Sequence, residues 1–478
     1  MHQREIMENL MRKFFVHNPT NDQSVVMKHL AAFAASTKNN PLYLLKGYAG
    51  TGKTSLIGAF VKMLVTRKRG FVLMAPTGRA AKVLSQYTGF FASTIHRRIY
   101  MFVTGSDGIT RMIKSKNRLE NTFFIIDESS MIGDGSQNGG IYVSQNNLLD
   151  DLLDYVFSGT GNKLLLVGDV AQLPPVGMDL SPALNQEYLK ASYNVTAYSF
   201  EMKEVMRQAL DSPVLYAATM LRKKIEENSV APPYFFKKTF KNDIEIIERA
   251  DVFEEYLQEA FYGYDNNDKS IIVCRTNKRA NMFNKQVRQR ILQRENVLEA
   301  GDKIMIVKNN YYWLDDQSRA GFIANGDIAE ISRVVKTEKL YGFNFAEAEI
   351  RLSDYPGQKE INVKLLLDTL DAESPALPRE KQNLLFTNVM EDYAGIPSYK
   401  KRLASVQKNP YYNALQIKFA YAMTCHKTQG GQWPFIFIDQ GYLNDEMLNR
   451  EFLRWLYTAV TRSTQKVFLV NFNPEFFA

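Results

Sequence analysis

Chemistry is concentrated first in the octapeptide GYAGTGKT, Gly47 to Thr54, whose Gly47, Gly52, Lys53 and Thr54 fit the spacing G-x-x-x-x-G-K-[ST] of a phosphate-binding P-loop. In such a loop the backbone N–H groups of Gly50, Thr51, Gly52 and Ser55 and the N-terminus of the following helix surround phosphate oxygens. Lys53 adds positive charge at the β- and γ-phosphates, and the Thr54 hydroxyl suits Mg2+. A second group of residues, TFFIIDESS, brings Asp127 and Glu128 to the end of an apolar run. Asp127 is read as the carboxylate of the magnesium shell and Glu128 as the general base that prepares water. A third, NKLLLVGDVAQLPPVG, ends a run in Gly168 and Asp169 and carries Gln172 into a proline-rich loop, where it can sense a γ-phosphate.

The elements around these groups are legible from their patterns. PLYLLKG is expected as a short buried strand and SLIGAFVKMLVTRK as a helix with apolar residues at helical spacing, so strand, glycine loop and helix follow in order. Phe123 to Ile126 and the LLLV run form two more strands. Ligands of open parallel sheets gather at the carboxyl ends of the strands, so the three groups of residues are predicted to meet at one edge of one sheet. The cofactors implied are ATP and Mg2+.

At 478 residues the chain exceeds what one hydrophobic core serves. A formal charge of +8 and a pI near 9.0 suit a polyanionic partner. Cys274 and Cys425 alone exclude a disulfide framework and a cysteine-built zinc site. No apolar run approaches the roughly 18 residues that a membrane helix needs, and MHQREIMENLMRKFF mixes charge into its apolar residues, so no membrane partner and a cytoplasmic location are expected.

The later blocks are APTGRAAKVLS, STIHR, EVMRQ, YAMTCHKTQGGQW and LYTAVTRS. With the P-loop, IIDES and GDVAQLPPVG, they resemble, in order, the conserved motifs of superfamily 1 DNA helicases. QLPPVG and HKTQG favour the RecD-like and Dda-like branch, whose members move 5′ to 3′ on single strands. The resemblance implies two RecA-like P-loop domains that close on ATP. Gln23 in TNDQ is similar to the glutamine that reads adenine, and Arg207 and Arg462 to two arginines that the second domain presents to the γ-phosphate. Pro76, Thr77 and Arg79, Thr94 and His96, Thr276 and Asn277, and Thr424, His426 and Lys427 stand where relatives touch the DNA strand.

The expected organisation is α/β throughout. A first RecA-like domain covers 1–200, with a β-hairpin at 97–120 inserted after His96. In the hairpin, RRIYMFVTGSDGITRMIKSKN alternates around a turn at GSDG. It is read as a pin that splits duplex, with Tyr100, Met101 and Phe102 as candidates to stack on the last base. The second RecA-like domain covers 201–300 and 413–478. Between its halves, 301–412 holds an SH3-like barrel and a helical extension, with a hairpin turn expected at Asn325-Gly326. NNLLDDLLDYVF has the spacing of an amphipathic helix.

The implied activity is ATP-driven 5′ to 3′ unwinding of DNA by a monomer acting at single-strand/duplex junctions. Single-strand-binding or replication and repair proteins are the partners the resemblance suggests, in DNA replication, recombination or repair. An RNA or RNA–DNA helicase of the same superfamily, or a nucleic-acid-stimulated ATPase that does not unwind, fits the same residues.

Overall fold

A computed structural model describes residues 2–104, 110–135, 147–206, 212–240, 243–262, 269–314, 322–353, 355 and 359–478. Two parallel sheets and one closed barrel organise them.

The first sheet is made from a continuous stretch of chain. Helices α1 (His2–Phe14) and α2 (Asn21–Ala34) lead into β1 (Pro41–Gly47), α3 (Lys53–Thr66), β2 (Phe71–Ala75), α4 (Gly78–Thr88), β3 (Ala92–Thr94) and α5 (Ile95–Ile99). A hairpin of β4 (Tyr100–Thr104) and β5 (Thr110–Lys114) follows, then β6 (Phe123–Ile126), α6 (Leu148–Phe157), β7 (Lys163–Gly168), α7 (Gln186–Ser192) and β8 (Thr196–Met202). The sheet runs β3-β2-β6-β7-β1-β8, all parallel. Helices cover both faces, so β6 and β7 are buried along their whole length and read as unbroken apolar runs. The ends of β1, β6 and β7 meet at one edge, as the three groups of residues require.

The second sheet is assembled from distant segments. After α8 (Pro213–Glu226) come β9 (Ile244–Ile247), α9 (Ala250–Phe261), β10 (Ser270–Cys274) and α10 (Asn277–Gln286). The barrel strands β11 (Lys303–Ile306), β12 (Ile328–Leu340), β13 (Phe343–Leu352) and β14 (Ile361–Leu366) intervene, with α11 (Arg379–Glu391) and α12 (Tyr399–Gln407) before β15 (Leu415–Phe419). The sheet resumes with β16 (Ala422–Thr424), α13 (Cys425–Thr428), β17 (Trp433–Asp439), α14 (Arg450–Val460) and β18 (Ser463–Val470). Its order is β16-β10-β17-β18-β9, again all parallel.

The barrel closes β11-β12-β13-β14-β15. Its last strand lies beyond residue 412, the expected edge of the insertion, and pairs with both β11 and β14. The hairpin turn also falls elsewhere. β12 and β13 reverse at Tyr341-Gly342, both with positive φ (53° and 81°), as a two-residue type I′ turn requires. Asn325-Gly326 instead turns the chain into β12, with the Gly326 N–H on the Ile306 carbonyl. Beyond the barrel, Phe343 and Phe345 at the start of β13 pack against Leu385 and Val389 of α11 and Val406 of α12.

The β4–β5 pair has the expected antiparallel register, Tyr100 opposite Lys114. Its base is anchored to α6: the Tyr100 hydroxyl donates to Asp151 (2.8 Å), and Lys114 pairs with Asp151 (3.4 Å) and Asp154. Tyr100, read from sequence as a stacking candidate, therefore serves as an anchor, with its ring beside His96. The hairpin also meets the barrel side of the molecule, since the Tyr311 hydroxyl lies 3.7 Å from the Met112 sulfur. The GSDG turn and the side chain of Phe102 lie outside the described residues.

Candidate nucleotide site and nucleic-acid face

The P-loop conformation follows from its glycines. Gly52 takes φ of 83°, left-handed, and opens α3, and a Cβ there would come 2.5 Å from the Gln23 amide nitrogen. Lys53 Nζ donates to the carbonyls of Gly47 (2.7 Å) and Tyr48 (2.9 Å), folding over the loop. Gln23 is fully buried. Its Nε2 donates to the Thr51 carbonyl (2.9 Å), while Oε1 accepts from the Thr20 N–H (2.9 Å) in a capping box at the start of α2. The amide of this expected adenine reader thus ties the start of α2 to the P-loop.

One cavity of about 730 Å³ receives Lys53, Thr54, Asp127, Glu128, Gln172 and Arg462. Asp127 is buried beside Glu128, and desolvation, then the neighbouring charge, raise its carboxyl above the usual range. A buried carboxylate next to a threonine hydroxyl is an oxygen donor set suited to Mg2+, whose charge would offset that desolvation. Glu128 holds a left-handed backbone (φ 52°) unusual for a residue with a Cβ, and its N–H donates to Asp127 Oδ1 (2.9 Å). The Gln172 side-chain oxygen is buried with no hydrogen-bond partner among the described residues, and so is available to a ligand group in the cavity.

The opposite wall comes from the second sheet. Arg462, just past α14, is buried and 3.6 Å from Glu128 Oε1, with its Nε on the Thr458 carbonyl (3.2 Å). Tyr457, Thr458 and Gln429 also cross to the first sheet, to Ala49 and Asp169, to Leu173 N–H and to Leu173 O respectively. All three lie inside the blocks LYTAVTRS and HKTQG, but sequence reasoning gave none of them a role. Arg207, the other expected arginine, lies outside the described residues.

The residues expected to touch nucleic acid form a different kind of surface. Thr77, Thr94 and Thr276 each cap a helix, accepting from Ala80, Arg97 and Arg279 N–H respectively (3.2 Å each). Pro76 lies half-buried ahead of the Thr77 cap, and Asn277 opens α10. The Arg79 guanidinium lies 3.8 Å from the centre of the Trp433 ring, joining α4 to β17. Gly430 and Gly431 permit that approach, because a Cβ on Gly431 would meet both the Trp433 ring (2.6 Å) and Arg79 Nε (2.8 Å). Met101 is 46% exposed on β4. Thr424 is buried at the start of α13, followed by His426 and Lys427. Burial lowers the His426 imidazole. Lys427 Nζ is buried with no hydrogen-bond partner among the described residues, and burial, reinforced by Lys418, pushes it down to about 8.

Comparison with known proteins finds likenesses in both halves of the chain. Residues 30–178 match an AAA domain model and 419–470 a UvrD-like helicase C-terminal domain model. The ATP-dependent RecD2 DNA helicase of Deinococcus radiodurans is 32% identical over 202 residues, which are 42% of this chain and 23% of that protein. The chain thus spans under a quarter of that relative's length in the match. The ATP-dependent DNA helicase dda of Enterobacteria phage T4 is 23% identical over 448 residues, 89% of this chain and 93% of that one. A crystal structure of Pif1 helicase from Bacteroides in complex with ADP-AlF3 and ssDNA aligns with a TM-score of 0.49 at 13% identity, covering 97% and 95% of the two chains. The P-loop, the acids and the two parallel sheets define an α/β P-loop protein. Within the matched regions the chain is similar to superfamily 1 helicases of the Pif1/RecD/Dda-like group.

Proposed function

We propose that the protein is an ATP-dependent DNA helicase that moves 5′ to 3′ on single-stranded DNA and separates duplex at junctions. One observation carries the proposal: Arg462 reaches Glu128 from the second sheet, across the cavity that holds Lys53. ATP bound there touches both sheets, so its arrival and hydrolysis change how the sheets grip each other.

In this reading 1–200 forms one RecA-like unit, and 201–300 with the chain beyond β15 forms the other. Lys53 and the P-loop N–H groups hold the phosphates, and Gln172 and Arg462 meet the γ-phosphate. Thr54 and Asp127 would hold Mg2+, which when bound screens phosphate charge. Glu128 accepts the proton of the attacking water, and Arg462 stabilises charge as the phosphoryl group transfers. The strand runs past the N-termini of α4, α5, α10 and α13, whose first-turn backbone N–H groups suit phosphates without reading sequence. Lys427 supplies a cation there, and a phosphate would give its buried ammonium the partner it lacks. The β4–β5 hairpin, anchored through Asp151 and supported at Met112, is the pin, and Met101 and Phe102 are the stacking candidates. The SH3-like barrel, closed by β15, supports it.

The test is unwinding of matched 5′-tailed and 3′-tailed DNA duplexes with ATP, with RNA-tailed controls. Separation of the 5′-tailed DNA alone is expected. Equal or preferred use of the 3′ tail overturns the direction, and preference for the RNA tail overturns the substrate.

A further inference from the structure

We propose that Tyr457 is a positioning residue through which the second sheet sets the P-loop and the Gln172 loop for ATP hydrolysis; this rests on the ATPase reading above. Tyr457 lies on α14 with its ring buried. The Ala49 N–H of the P-loop donates to its hydroxyl (2.9 Å), and the hydroxyl donates to Asp169 Oδ2 (2.7 Å). One phenol therefore joins the loop after β1, the end of β7 and a helix of the other sheet.

Asp169 is buried, and burial raises its carboxyl against the Lys53 charge and its two donors, Tyr457 and the Ala171 N–H (2.9 Å), which favour the ionised form. The far end of the same loop is strapped by the same sheet. Leu173 N–H donates to Thr458 Oγ1 (2.9 Å), and Gln429 Nε2 donates to the Leu173 carbonyl (2.8 Å). Gln172, with its unpartnered oxygen in the nucleotide cavity, sits between these two fixed points. Hydrogen bonds weaken steeply with small changes of length and angle. A movement of α14 relative to the first sheet must therefore either break these bonds or carry Gln172 and Ala49 with it. Arg462 stands at the end of the same helix and moves with it, so the water-side and phosphate-side groups are set together.

Tyr457→Phe keeps the ring and removes the link. Steady-state ATP hydrolysis is measured with and without an oligo-dT strand, beside thermal melting. The expected result is a fall of about tenfold or more in DNA-stimulated kcat with KM for ATP changed less than about threefold. Asp169→Asn is expected to give a similar fall, and the double variant no more than the worse single one, because both remove one link. A Tyr457→Phe kcat within about twofold of the parent, effects that multiply in the double variant, or activity restored simply by working below a lowered melting point overturns the proposal. If Tyr457→Phe does not fold, Thr458→Val and Asp169→Asn carry the test, and parental kcat in both overturns it. A parent protein without DNA-stimulated ATP turnover overturns the ATPase reading instead.

Discussion

The nucleotide cavity and the nucleic-acid face are built on opposite principles. In the cavity charged side chains are brought together from both sheets: Lys53, Asp127 and Glu128 from the first, and Arg462 from the second, which approaches Glu128. On the nucleic-acid face the hydroxyls singled out by sequence, Thr77, Thr94 and Thr276, are turned back onto their own helices as caps. The difference teaches that a site that breaks a bond needs side chains fixed against a developing charge, while a track that must release and regrip a uniform polyanion is served by amides and a few cations.

Four substitutions test this contrast. Lys53→Ala removes the cation over the loop and is expected to lower ATP turnover by about 1000-fold or more and abolish unwinding, with single-strand affinity kept. Turnover assays beside oligonucleotide binding decide it. Arg462→Ala is expected to lower kcat by about 100- to 1000-fold while ATP still binds, since the arginine acts on charge that appears during transfer. Rapid-mix single-turnover hydrolysis separates binding from chemistry.

On the other face the effects shrink. Lys427→Ala is expected to make the log affinity for oligo-dT fall less steeply with log salt, by about 0.7, the share of one phosphate contact on a single strand. The pH dependence has a definite sign. Lys427 titrates near 8, and phosphate favours its charged form. Parent affinity is thus full below pH 8 and declines as pH rises through it, and Lys427→Ala removes that decline. The smallest effect belongs to Thr276→Ala. Loss of the α10 cap is expected to cost about 1 kcal/mol of stability by denaturant melts, with oligo-dT affinity within about twofold. A larger loss of affinity than of stability would return the hydroxyl to the list of direct contacts.

What the sequence revealed follows from the range of the forces involved. β1, the P-loop, α3, β6 and β7 were legible because each is a local pattern: an apolar run, a glycine spacing or a helical period. The long β12–β13 hairpin and its Tyr341-Gly342 turn were missed because Asn325-Gly326 is the stronger turn dipeptide, and tertiary pairing overrode it. β15 was missed because barrel closure joins Leu415 to Leu365 across an intervening helical segment, and nothing local marks that pairing. The role of Tyr457, inside the block LYTAVTRS, was hidden for a related reason. In the sequence it is an aromatic residue on a buried helix, and its role appears only when Ala49 and Asp169 are brought to its hydroxyl. The threonine caps show the reverse, since hydroxyls ahead of helices announce caps as readily as contacts.

The split second sheet also governs the order of assembly. Every strand of the first sheet precedes Glu204, so that half can fold as soon as it leaves the ribosome. β9 must wait for β18, its one neighbour in the sheet, and β10 must wait for β16 and β17, with the barrel completed in between. The Ala49 N–H and the Asp169 carboxylate are therefore made early and receive their phenol late. Until α14 arrives, a nascent chain carries a nucleotide loop without its second wall, and ATP can meet it before it can be used.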